Sequence, residues 1–312
     1  MKSDKKKNAI ELLIFFGIAF GINFLLGTII CTNHIGDENL FSLFIMLLPA
    51  NGAFLARYYR DKRQITEKLI DTILVVCSML NFSCMCLVLL KILDCKMAIS
   101  IIEGESYLIG TGIFVYLFLR NRETSFLQNA KKVQKDILFL LAILFLRNSI
   151  RIVPEIIKGD KEAIMRMLIV LFSIVGVFFS MGIFYGEESG WRGYLQEKLQ
   201  GYFGKIGGVI LLGILWWIWH LPLWVVQEVE WVEMLYGIPT SIGIAIFLGY
   251  IYMKTKNVWL CAITHGLYNS MGTVGGESWF DYLVLWGGGY RSFSVLYSKT
   301  RISGKTRMNK GE

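Results

Sequence analysis

The chain is poor in charge, in proline and in histidine. Only 18% of its 312 residues are Asp, Glu, Lys or Arg, where a soluble domain carries about 25%. In their place stand 54% hydrophobic residues and a mean hydropathy of +0.52. Uncharged apolar runs of about 18 residues or more recur, which excludes an ordinary soluble domain and predicts several membrane-spanning helices. With four prolines, no Pro-rich linker, no repeat and no low-complexity tract, residues 1–312 read as a single membrane domain. Metal-type or disulfide-type cysteine spacing is also missing. Cys31, Cys77, Cys84, Cys86, Cys95 and Cys261 lie mostly in apolar runs, and Cys84 and Cys86 form only a C-x-C, so buried free thiols are expected.

The net charge of +8 sits at segment ends, as juxtamembrane anchors do. That distribution argues against a nucleic-acid partner and for the lipid bilayer. Candidate spans fall at about 10–30, 40–57, 70–90, 106–119, 137–154, 165–187, 206–226, 234–253 and 258–273, with a weaker tenth near 280–297 that Asp281, Gly287-Gly288-Gly289 and Arg291 interrupt. The expected fold is therefore all-α, a polytopic transmembrane bundle of about 8–10 helices. The first run is too long for a signal-peptide core and has no small-x-small cleavage site, so it is expected to be retained.

Lys2, Lys5, Lys6 and Lys7 place the N-terminus in the cytoplasm by the positive-inside rule. Arg57, Arg60, Lys62, Arg63 and Lys68, and then Arg120, Arg122, Lys131, Lys132 and Lys135, mark further cytoplasmic loops. One stretch breaks the alternation: Arg147, Arg151, Lys158, Lys161 and Arg166 fall where an external loop is expected. An interfacial helix or a miscounted span accounts for it equally well. The basic tail at 298–312 fits the cytoplasm and anionic headgroups, and its NKGE ending is expected to carry no prenylation signal. Glu103 and Glu105, near the expected outer face, read as solvated.

Against this background a few ionisable residues lie in apolar segments, where such groups mark functional sites by default. Glu187-Glu188-Ser189-Gly190-Trp191-Arg192 closes one run; His220 sits in WWIWHLPLW and His265 in CAITHGLYNS. Glu188 and Arg192 are four apart and share a helix face, while Glu187 projects about 100° away. One carboxylate can pair with the guanidinium, leaving the other to act as a general base. A cluster at the headgroups is the competing reading. His265 and Asn269 repeat the four-residue spacing and could donate to one oxyanion, or simply join helices. His220 follows Trp216, Trp217 and Trp219, which also fit an interfacial aromatic belt. Together these residues offer a base, an orienting partner and oxyanion donors, with no Ser or Cys nucleophile paired to a histidine.

In order and placement, E-E-x-x-x-R at Glu187, Glu188 and Arg192, aromatic-x-x-x-H at Trp216 and His220, and H-x-x-x-N at His265 and Asn269 resemble the CAAX protease and bacteriocin-processing family of intramembrane endopeptidases. That family includes the Ras-converting CAAX endoprotease. The resemblance covers about 165–275, and 1–160 carries no recognised motif. The family usually has Phe where Trp216 stands. The resemblance implies a catalytic site inside the bundle, open toward the cytoplasm. In it Glu187 would activate a water with help from His220, His265 and Asn269 would stabilise the oxyanion, and Glu188 and Arg192 would hold geometry and charge. No cofactor is expected. Members are often labelled metalloproteases, and the alternative is zinc on Glu187, His220 and His265 with an open position, although H-E-x-x-H is absent.

The implied substrates are CAAX-type protein C-termini or small peptides such as bacteriocins or pheromones, and the implied location is the plasma membrane. A non-enzymatic bacteriocin immunity or scaffold protein of the same fold is the alternative. A transporter relaying protons through Glu and His fits less well, because no paired interrupted helices appear in the two halves. One geometric demand follows. His220 lies about 21 Å into its span, so the helix carrying Glu187 must continue through at least Leu195 for the two to meet.

Overall fold

A computed structural model of the protein describes residues 2–33, 37–61, 68–119 and 127–272. The expected tenth span at 280–297, the tail at 298–312, Lys62, Arg63, Arg120, Arg122 and His34 lie outside the described residues. Among the described residues all regular structure is helical. The helices are α1 Lys2–Phe16, α2 Asn23–Asn33, α3 Glu38–Ile45, α4 Leu48–Arg60, α5 Lys68–Leu89, α6 Cys95–Leu119, α7 Gln134–Ile157, α8 Lys161–Phe179, α9 Met181–Gly190, α10 Gln196–Val226, α11 Trp231–Thr255 and α12 Val258–Gly272. Two π-helical turns, Gly17–Ile22 and Trp191–Leu195, join α1 to α2 and α9 to α10.

Seven helical runs among the described residues are long and apolar enough to cross a membrane: Lys6–Asn33, Glu38–Arg60, Leu69–Leu89, Cys95–Leu119, Gln134–Ile157, Met181–Val226 and Trp231–Thr255. The chain is a polytopic helical membrane bundle. Large apolar side chains such as Leu108, Leu119, Ile157 and Phe172 stay exposed on it, as a lipid-facing surface requires. All six cysteines are free.

The sixth candidate span, 165–187, is two helices. At the junction Ser180 turns its hydroxyl back to the Gly176 carbonyl at 3.2 Å, a contact that competes with the helix ladder and bends it. The demanded continuation is present. From Met181 the chain runs through α9, the π turn and the first part of α10 to Gly204, whose φ of +72° and ψ of 174° break α10. A left-handed φ suits glycine because it has no Cβ. The chain reverses there, and Glu187 and His220 lie seventeen and sixteen residues either side of the turn. At 1.5 Å per residue that is about 25 and 24 Å, so the two reach the same depth.

The N-terminal helices form a wall for this hairpin. Trp219 donates its indole N–H to the Ala19 carbonyl at 3.0 Å, and Asn23 Nδ2 donates to the Trp219 carbonyl at 2.7 Å. Phe15 and Phe20 meet Trp191 edge-on. Arg57 Nη2 donates to the Gly193 carbonyl at 2.7 Å, within the π turn. Buried Glu11 bridges Arg60 of α4 and Lys198 of α10. Gly190 lets α4 approach: a Cβ there would lie 2.4–2.5 Å from Pro49 atoms, two of them backbone.

Two sequence expectations need correction. Arg147 and Arg151 belong to α7 rather than to a loop, and Arg147 is buried, which removes them from the anomalous basic stretch. Arg166, by contrast, pairs with Glu155 and Asp160 around the short α7–α8 turn. Glu103 is exposed as expected, but Glu105 is half-buried on α6 against Cys77 and Ser106, because α6 begins eleven residues earlier than the apolar run at 106–119 implied.

Candidate active site

Every residue from Tyr185 to Arg192 is buried, so α9 is enclosed on all sides and its polar residues face protein rather than lipid. Glu187 and Glu188 are 3% and 0% exposed, and Arg192 is 0%. Arg192 Nη1 donates to Glu188 Oε1 at 2.8 Å, the pairing that the four-residue spacing predicted. Isolated charges at this burial would cost several kcal/mol each, and the pair offsets that cost locally. The π turn at Trp191–Leu195 widens the helix just after the motif, and such turns recur at functional sites.

α12 brings His265 to the same carboxylate. Asn257 starts α12 by accepting the Trp259 N–H at 2.9 Å, an N-cap, and Asn148 of α7 donates to the Met271 carbonyl at 2.9 Å near its end. Held at both ends, α12 places His265 Nδ1 2.9 Å from Glu188 Oε1. The approach is off the line of a ring N–H, so it is a close polar contact without a formed hydrogen bond. Phe184 meets the His265 ring edge-on at 5.2 Å. Asn269 lies one turn further along α12, partly exposed.

The returning arm of α10 supplies Trp216 and His220. Trp216 donates its indole N–H to Glu187 Oε2 at 3.2 Å. The same ring carries the Arg192 guanidinium over its face at 4.9 Å and meets His220 and His265 at 5.4 and 5.2 Å. His220 Nδ1 lies 2.8 Å from the Trp216 carbonyl. A carbonyl can only accept, so Nδ1 carries the proton and the neutral ring keeps its lone pair on Nε2. Trp216, Trp219 and Trp224 surround this imidazole.

Several groups here are buried without a hydrogen-bond partner among the described residues: Glu188 Oε2 and Arg192 Nε and Nη2. Orphan groups of this kind cost free energy unless water or a ligand satisfies them. Among the described residues no three His, Cys, Asp or Glu side chains are grouped as a metal-holding set.

The structure thus brings five of the six sequence candidates round one point, with Asn269 a turn away. Sequence reasoning read Trp216 only as the motif's aromatic or as part of an interfacial belt, and missed the contacts of Asn23 and Arg57. The sole signal for the first was an indole where the pattern usually has an apolar ring.

Residues 165–271 match the model of the type II CAAX prenyl endopeptidase Rce1-like family. The matched segment holds all six candidates and coincides with the span on which the sequence resemblance rested. Over 75 residues the chain is 35% identical to CAAX prenyl protease 2 of Methanococcus maripaludis, a stretch that covers 24% of this chain. It spans only about a quarter, 27%, of that relative's length. No solved structure matches the chain.

Proposed function

We propose that this protein is an intramembrane endopeptidase that hydrolyses a peptide bond with a water activated by Glu187. The observation that carries the reading is the meeting of Glu187 and His220 at one depth inside the bundle, both against Trp216. Glu187 has one oxygen held by the indole, and its other oxygen, Oε1, makes no hydrogen bond to a described residue. That oxygen and His220 Nε2 are the two acceptors for the protons of an attacking water. As the water oxygen bonds to the carbonyl carbon, one of its protons passes to Glu187; when the carbon–nitrogen bond then breaks, that proton goes to the leaving amine.

Negative charge then develops on the carbonyl oxygen. His265 and Asn269, one turn apart on α12, are the donors proposed for it. Glu188 and Arg192 hold the ring of charges in place, and the N–H groups of Arg192 that bond no described residue add positive potential to the site. The reaction is proposed to need no metal.

The likeness of residues 165–271 to the Rce1-like model supports CAAX-type protein C-termini as substrates, and small peptides are the second substrate class. The proposed location is the cell membrane with the N-terminus in the cytoplasm. The test is mass spectrometry of peptides ending in CAAX sequences, prenylated and unprenylated, after incubation with purified protein and with chelator. Release of the last three residues, unaffected by chelator, is expected. Cleavage abolished by chelator and restored by zinc would overturn the metal-free mechanism.

A further inference from the structure

Trp216 touches four of the six candidate residues, yet the proposed chemistry gives it no proton to move. Its indole N–H ends on Glu187 Oε2, its face lies under Arg192, and its ring packs edge-to-face with His220 and His265. We infer that Trp216 is a positioning residue: its indole N–H fixes the carboxylate plane of Glu187 and so aims Oε1 at the attacking water. The kinetic consequence rests on the peptidase reading; the contact itself rests on geometry alone.

Three observations separate this role from ordinary packing. First, Trp216 is 4% exposed, and a buried N–H must find a partner or cost the desolvation of that group. Its two neighbours spend theirs on backbone, Trp217 on the Met234 carbonyl and Trp219 on the Ala19 carbonyl, which ties helices together. Trp216 instead donates to a side chain of the candidate site. Second, that bond is the one hydrogen bond Glu187's carboxylate makes to a described residue. Third, the indole is itself clamped. A cation over the face of a tryptophan and T-shaped aromatic neighbours are attractive contacts, and here they hold the ring from three elements: the π turn, α10 and α12. The groups facing Glu187 are Glu188 from α9, Arg192 from the π turn, Trp216 from α10 and His265 from α12.

Phe in place of Trp216 keeps an apolar ring and removes the donor. A bond to a charged acceptor is worth about 1.5–3 kcal/mol, or roughly tenfold to a hundredfold in rate. In W216F, kcat should fall by about that factor with KM within about twofold, since substrate binding is not touched. Thermal unfolding of W216F checks that the fold survives.

The contact is read without activity in protein whose nine tryptophans carry 15N at the indole. The resonance lost in W216F is that of Trp216. It should move upfield in both Glu187→Gln and Glu187→Ala, while the Trp217 and Trp219 resonances stay. An unmoved Trp216 resonance in both variants, or full kcat in a folded W216F protein, overturns the inference. A moved resonance with no cleavage by wild-type protein on any peptide supports the contact and counts against the peptidase reading instead.

Discussion

Replacing Arg192 by methionine should destabilise the protein far more than replacing Arg192 and Glu188 together. Both side chains are 0% exposed and joined at 2.8 Å. The single change leaves the buried Glu188 carboxyl without its guanidinium, with His265 Nδ1 as its close polar neighbour. Breaking a buried pair from one side costs about 3–5 kcal/mol, and the lost cation–π contact with Trp216 adds about 1–2 kcal/mol. At about 2–4 °C per kcal/mol, the midpoint of thermal unfolding in detergent should fall by roughly 8–28 °C. In Glu188→Met with Arg192→Met, two unbranched apolar side chains fill a similar volume and no charge stays buried. Such replacements are often neutral or stabilising, so the double variant should unfold within about 5 °C of wild type while losing activity. Tryptophan fluorescence against temperature, with gel filtration to confirm the monodisperse state, reads both. A double variant as unstable as the single one, or worse, would refute the view that the pair is a buried ionic unit.

Three further outcomes follow from the packing around the hairpin and from the α12 cap. Gly190→Ala should cost about 1–3 kcal/mol or more, because the new methyl meets the Pro49 backbone at 2.5 Å; thermal unfolding measures it. Glu11→Gln should lower stability by about 1–3 kcal/mol, since Arg60 and Lys198 lose their shared carboxylate, and the loss should be smaller in high salt. Asn257→Ala should remove the α12 cap, at about 1 kcal/mol, and lower kcat by loosening His265; rates and unfolding midpoints taken together check both.

The class of fold was legible because burial in lipid leaves a compositional record: long uncharged runs ending in Lys and Arg. The site was legible because its residues violate that composition. Glu188 and Arg192 keep their four-residue spacing, and the depth of His220 in its span requires the helix to run past Arg192. What escaped was set by distant packing. The break at Ser180 and the π turns at Gly17–Ile22 and Trp191–Leu195 have no local breaker stronger than Ser or Gly, residues common in membrane helices. Gly204 looked like any of the 31 glycines until its reversed φ made it the hairpin turn. The buried place of Arg147 defeated a rule that counts charges by sequence position. The service of Glu11, Asn23 and Arg57 to the hairpin depends on partners 136 to 196 residues away, and no periodicity reports that.

The most direct test is the initial rate of peptide cleavage by wild-type protein and by Glu187→Gln, both folded, in the same lipid nanodiscs with chelator present. Cleavage by wild type and its loss by at least about a thousandfold in the variant is the expected result, because a catalytic base and its charge disappear together. A variant that cleaves at a rate near wild type would contradict the assignment of Glu187 as the residue that activates water.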